Sequence, residues 1–333
     1  MTPVELRGAL AAIPEVEVTP ELSGLDGAVA YLASDAALAS LAEDSYWPKW
    51  DSPWWQMLLL FELGETRRIP ERAVHAMVAA LDALPLHTFP LRPEDWPPGL
   101  SPSRHTSCHC ALGSIDQVLT ACGVDVDVEL PWIRRWYARY QMRDGGYNCD
   151  ESAYLVADEC PSSMVGTIAP FEAMLHRGPD ETVARAAEFL IARELVHGSP
   201  TRHNAEERDA AKSWGEPTFP RFYFYDVLRG ATALVRWARE LRQPLPLQAI
   251  APAATHLAAI AADGVVRIGR RAHAGKATWM RGENGEWGRS PQARTFPLLD
   301  AVSVVGAASA PLTAEWRATR HAIIELVDAG QVG

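Results

Sequence analysis

The chain has 333 residues, 48% hydrophobic and 22% charged, with a formal net charge of −11. That excess of carboxylates argues against a nucleic-acid binder, which needs clustered basic groups to neutralise phosphates. No apolar run reaches the ~20 residues of a membrane span, and the opening MTPVELRGALAAIPEVEV carries Glu5, Glu15 and Glu17 without a long apolar core, unlike a secretory signal. The expectation is a soluble cytoplasmic protein whose five cysteines stay mostly reduced rather than forming a disulfide framework.

In chain order, residues 1–44 are expected to supply N-terminal outer helices, chiefly around 25–43. Five similar segments follow: WDSPWWQMLLLFELG (50–64), CHCALGSIDQVLTACG (108–123), PSSMVGTIAPFEAMLHRG (161–178), RFYFYDVLRGATALVRWA (221–238) and QARTFPLLDAVSVVGA (292–307). Each opens on polar or aromatic residues and continues as a helix apolar nearly all round, the mark of a buried element. Each is followed by a more amphipathic helix: 71–84, 131–143, 180–196, 246–262 and 313–329. Three of these lead toward Gly-containing turns, MRDGGYN (142–148), AADGVV (261–266) and, after an insert, ENGEWG (283–288). A long polar segment, 197–218, reads as a loop or a lid. No strand pattern interrupts the repeat. Alternating helices of this kind stack into a solenoid or close into a ring. The expected fold is a single all-α domain over 1–333, an α/α toroid of roughly five to six hairpins of inner and outer helices.

Three stretches carry a resemblance. RYQMRDGGYNCDE (139–151) is similar to the Q-x-x-D-G-G-aromatic turn of the squalene cyclase and protein prenyltransferase repeat family. GEWGRS (285–290) looks like a weaker copy, and FPRFYFYDVLRGATALVRWA (219–238) resembles an inner helix of uncharacterised bacterial members. The resemblance covers roughly residues 45–310 and implies the toroid. It does not bring the family's chemistry. The nearest match to the cyclase D-x-D-D acid motif is GVDVDVEL, with Asp125, Asp127 and Glu129 in an inter-helix turn, and the prenyltransferase zinc set of Asp, Cys and His has no equivalent here.

In a toroid the N-terminal ends of the inner helices meet at one mouth. That would gather Asp51 and Trp54; Cys108, His109 and Cys110; Cys160, Ser162 and Ser163; Tyr223, Tyr225 and Asp226; and the turn carrying Tyr147, Cys149, Asp150 and Glu151. Helix N-termini favour thiolate and anionic groups. The expected catalytic set is His109, Cys149, Cys160 and Asp51: cysteine as nucleophile or acid, His109 as its base, Asp51 orienting the imidazole. Trp54, Cys110, Tyr147, Ser163, Tyr223, Tyr225 and Asp226 are the expected substrate contacts. Plainer roles stand beside these: Asp51 as a helix cap, Asp226 paired with Arg229, the aromatic residues as core, and Cys122 as a small buried apolar residue. Cys108 and Cys110, two apart, face away from one another if both lie on the helix.

The leading expectation is an enzyme acting without a cofactor on a small or medium, partly apolar, terpenoid-like substrate, as an isomerase, lyase, cyclase or hydrolase. In site type it resembles linalool dehydratase-isomerase, which has the same chain order of Asp, His, Cys and Cys. The main alternative is a zinc enzyme with Cys and His ligands, of the type the lanthionine cyclases use, although their ligand order differs. A non-catalytic lipid or terpenoid binder is the third reading. A small-molecule partner is expected, and no nucleic acid and no membrane span. An exposed ring of outer helices would permit a homo-oligomer.

Overall fold

The computed structural model describes residues 1–84, 98–99 and 108–333. The described chain is mostly helical, with fifteen α-helices. They are α1 (Pro3–Ala11), α2 (Leu25–Leu32), α3 (Asp35–Glu43), α4 (Pro53–Glu62), α5 (Glu71–Asp82), α6 (His109–Ala121), α7 (Val126–Glu129) and α8 (Trp132–Tyr140). They continue with α9 (Met164–Leu175), α10 (Glu181–Ala192), α11 (Glu207–Ala211), α12 (Val227–Glu240), α13 (Leu247–Ile260), α14 (Pro297–Val302) and α15 (Ala310–Asp328). One hairpin of β1 (Thr278–Arg281) and β2 (Trp287–Ser290) completes the set.

The two helix types differ as their sequences dictate. In α4 every residue from Pro53 to Leu60 is buried, and in α6 every residue from His109 to Leu119. By contrast α5 buries only Ala73, Val74, Met77 and Leu81, a single stripe at helical spacing. The inner helices are neighbours in order: α4 packs on α6, α6 on α9 and α9 on α12, and α12 in turn packs on the amphipathic α15. The α6–α9 contact is the closest. A Cβ on Gly113 would collide with the backbone of Ala169 and Pro170, so only glycine lets the two helices approach this far.

Three expectations need correction. The 283–288 turn is the tip of the antiparallel β1–β2 hairpin, paired from Thr278↔Ser290 to Arg281↔Trp287, so a strand pair does interrupt the helices and GEWGRS is not a second copy of the 141–147 turn. The fifth apolar segment forms only the six-residue α14. The 197–218 segment, expected as a loop or a lid, carries the short helix α11 and is anchored at several points. Ser199, Asn204, Glu207 and Trp214 are buried, and the Glu207 carboxylate accepts the Met164 N–H at the start of α9 at 2.7 Å. No single helix among the described residues is long and apolar enough to cross a membrane.

Candidate functional site

The structure places Cys108 just before α6 rather than on it. Its backbone is extended (φ −112°, ψ 158°) at the N-cap position. An N-cap side chain turns back over the first helical turn, so the expected divergence of the C-x-C pair does not occur. The Sγ atoms of Cys108 and Cys110 lie 3.3 Å apart. Cys149 arrives from a different segment, its Sγ accepting the Cys110 backbone N–H at 3.4 Å. The three sulfurs all lie within 4.8 Å of one another.

The QMRDGGY turn explains how Cys149 gets there. The Gln141 amide donates to the Gly145 carbonyl at 2.9 Å and to the Thr182 carbonyl at 2.7 Å, fixing the turn to the first turn of α10. Gly145 (φ 88°) lies so close to the Arg185 carbonyl that a Cβ would collide with it. The Tyr147 hydroxyl then donates to the Tyr137 carbonyl at 3.1 Å. Next, His109 Nδ1 lies 2.9 Å from the Asn148 carbonyl oxygen, to which it donates, with the Tyr154 hydroxyl at 3.3 Å. His109 thus ties the start of α6 to the residue before Cys149. It is fully buried among Tyr147, Tyr154, Tyr140 and Trp136. Burial pushes its pKa down to about 4, so the ring is neutral at pH 7.

The thiols do not titrate alike. Cys108 accepts the Cys110 and Cys149 thiol protons and the Ala111 N–H at the positive end of α6, which holds its pKa well below the ordinary thiol range. Cys110 and Cys149, donors to that sulfur, are pushed up. The cluster therefore carries one thiolate first.

Opposite the sulfurs lies a cation that sequence reasoning missed. Lys49 Nζ donates to the Tyr223 hydroxyl at 3.0 Å and sits 5.4, 5.7 and 5.2 Å from the ring centroids of Trp47, Trp50 and Tyr223. Burial lowers its pKa, and the Cys110 and Cys108 sulfurs oppose that shift. The Lys49 N–H donates to Thr278 Oγ1 at 2.7 Å, so the β-hairpin braces this segment. Tyr46 and Tyr223 both stay protonated, raised first by burial; the charge of the sulfurs adds to this, for Tyr46 after that of Tyr223. A signal was present: the chain has three lysines in all, and Lys49 interrupts the aromatic run YWPKWDSPWW.

Other predicted residues fall elsewhere. Asp51 lies within electrostatic reach of Arg294 and Tyr31, while His109 Nδ1 is engaged by the Asn148 carbonyl and the Tyr154 hydroxyl. Cys160 lies against Ser162 and Asp144 and is not one of the three clustered thiols. Asp226 is the N-cap of α12: it accepts the Arg229 N–H and pairs with Arg221 at 3.0 Å, rather than with the Arg229 guanidinium. Ser163 caps α9 through the Gly166 N–H. The Tyr225 hydroxyl donates to the Leu195 carbonyl, and Trp54 packs on Trp55 and Tyr46. Of the expected substrate contacts, Cys110 and Tyr223 reach the cluster, while Tyr147 lies behind it against His109.

A cavity of about 80 Å³ lies between α4, α6, α9 and α12, lined in part by Glu62, Gln117, Glu172, Arg221 and Arg229. It is charged and far smaller than the ~300 Å³ at which ligand pockets begin. Arg229 pairs with Glu172 at 2.6 Å and Arg221 with Glu315 at 2.6 Å. The expected apolar, terpenoid-sized cavity does not lie here. No protein-family model, no curated protein and no solved structure matches this chain.

Proposed function

We propose that the protein is an α/α-toroid enzyme whose reaction centre is a zinc-class ion held by the thiolates of Cys108, Cys110 and Cys149. The observation that carries this is the convergence of three sulfurs from two separate segments. Thiolates about 2.3 Å from a tetrahedral ion lie about 3.8 Å apart. The observed spread, 3.3 Å for one pair and at most 4.8 Å for all, brackets that value. Soft sulfur donors select zinc or cuprous ion over magnesium or calcium. A zinc ion there would supply Lewis acidity at a fourth position, as in catalytic rather than closed structural sites. Three thiolates around a dication leave one negative charge, which the Lys49 ammonium offsets. The toroid reading is supported by the ordered packing of α4, α6, α9, α12 and α15, and by the 221–222 backbone returning to the Glu62 carboxylate at the end of α4.

This replaces His109 and Asp51 as base and orienter with a metal-ligand role for the sulfurs and a positioning role for His109. Elemental analysis of the purified protein tests it. About one zinc per chain is expected, lost in Cys149→Ser and retained in Cys160→Ser. A protein that retains no metal after zinc loading and dialysis refutes the proposal.

A second reading, a cysteine nucleophile, is favoured by the lowered pKa of Cys108 at a helix N-terminus. It requires turnover by the metal-free protein that Cys108→Ala abolishes.

A further inference from the structure

We infer that the site takes a substrate bearing a small oxyanion, a carboxylate or phosphate, seated by Lys49 and Tyr223 beside the three sulfurs. The inference deepens the reading of this cluster as a reaction centre but does not depend on which metal, if any, it holds.

The distribution of charge is the first ground. The chain is strongly acidic and has three lysines, yet Lys49 and Lys276 share one region with Arg289: the Lys49 N–H bonds Thr278 at the start of β1, two residues after Lys276, and Arg289 of β2 pairs with Trp279. The third, Lys212, pairs with Asp209 at 2.6 Å. Among the described residues no carboxylate pairs with Lys49, Lys276 or Arg289, although nearby Arg281 is paired with Glu43. Three cations without a carboxylate partner among the described residues, on a chain of net charge −11, raise the local concentration of anions at one place.

Geometry is the second. Lys49 is held in one orientation by the Tyr223 hydroxyl and three aromatic rings. A phenol oxygen that accepts from Lys49 keeps its own hydrogen to donate. An ammonium and a hydroxyl side by side thus present two donors to one oxyanion. Trp47 and Tyr223, both partly exposed, offer apolar faces to the rest of an organic substrate, and Lys276 extends the cationic edge over the Phe224 ring, 5.6 Å from its centroid. The sulfurs are the nearby anionic groups, and three thiolates around a dication would leave a single negative charge against the three cations Lys49, Lys276 and Arg289.

Paired alkylating probes test this on the metal-free full chain. In each, a cysteine sulfur attacks the probe's methylene carbon, an S–C bond forms, the C–I bond breaks and iodide leaves. Iodoacetate carries a carboxylate and iodoacetamide is its neutral counterpart, so the ratio of their rates reports anion recruitment separately from thiol reactivity. Peptide mapping assigns the rates to Cys108, Cys110 and Cys149. The iodoacetate-to-iodoacetamide ratio in the folded protein is expected to exceed that in urea by about 10-fold or more. It should fall toward the urea value in Lys49→Met and, part-way, in Lys276→Gln, while Lys212→Met leaves it unchanged. High salt should lower it as well, which tests the idea even if Lys49→Met fails to fold. At constant ionic strength, acetate or inorganic phosphate should slow iodoacetate, and which of them does so assigns the oxyanion class. Equal ratios in folded and urea-unfolded protein, or no slowing by either anion, overturn the inference. Absence of zinc with a raised ratio would refute the metal reading alone.

Discussion

Trp50 and Phe222 stack nearly parallel, with ring centroids 5.0 Å apart and planes 8° apart, and both hold left-handed backbone (φ 67° and 53°). Bulky residues seldom adopt positive φ, and such strain persists only where the surroundings enforce it. Here the stack fixes two turns at once. Lys49 precedes Trp50 and Tyr223 follows Phe222, so the contact sets the Lys49–Tyr223 pair against the sulfurs. Phe222 is also pinned by its N–H to the Glu62 carboxylate at 2.6 Å. Phe222→Ala is expected to cost about 3–5 kcal/mol, since it removes a buried aromatic and leaves a cavity. Urea unfolding measures this; a loss below about 1 kcal/mol contradicts the clamp.

Gly113 decides whether α6 can lie close against α9. Gly113→Ala normally favours a helix by about 1 kcal/mol. Here the added methyl meets the backbone of Ala169 and Pro170, so a net loss of at least about 2 kcal/mol is expected, with weaker zinc retention because Cys110 rides on α6 and Cys108 is its N-cap. A stabilised Gly113→Ala variant contradicts the packing.

His109 positions Cys149 through the Asn148 carbonyl. His109→Phe keeps a ring in the aromatic wall and removes the hydrogen bond. Loss of such an outer contact typically weakens metal affinity by about 10–100-fold. Competition against a chelator measures it, and unchanged affinity leaves His109 as core packing alone.

Buried groups tilt stability with pH in opposite directions. Glu62 is raised to about 7 by burial, only partly countered by the Arg221 and Phe222 N–H groups and the Arg229 and Arg221 charges. Because its folded value lies above the unfolded 4.5, its contribution is full below pH 4.5 and is lost as pH rises through 7. Relative to Glu62→Gln, the protein should lose about 2 kcal/mol between pH 4.5 and 8, discounted for partial solvent access. His109 runs the other way: lowered to about 4 by burial, it supports the fold above pH 6.5 and ceases to do so as pH falls through 4. A pH-independent difference between the protein and Glu62→Gln contradicts the Glu62 assignment.

The helices were legible because burial leaves a trace in the residue pattern. The unbroken apolar runs of α4 and α6 and the single stripe of α5 reappear in the structure as whole-surface and one-face burial. The site was legible in type but not in membership. Cys110 at a helix start and Cys149 on the D-G-G-Y turn are expected at the same mouth and do meet, but Asp51 and Cys160 are expected there too, and their side chains turn to Arg294 and to Asp144. A helix start fixes where a backbone lies, not which way its side chain points. Helical spacing does not apply to Cys108, which precedes the helix as its extended N-cap. Lys49 escaped notice because the segment ahead of α4 shows no periodicity, and its place depends on a stack with Phe222, far away in sequence.

Zinc K-edge X-ray absorption on the zinc-loaded protein tests the central claim most directly, because it counts sulfur neighbours. Three sulfur scatterers at about 2.3 Å plus one lighter atom are predicted, falling to two sulfurs in Cys149→Ser if zinc is retained at all. A first shell of nitrogen and oxygen alone, or a sulfur count unchanged by Cys149→Ser, would contradict the account.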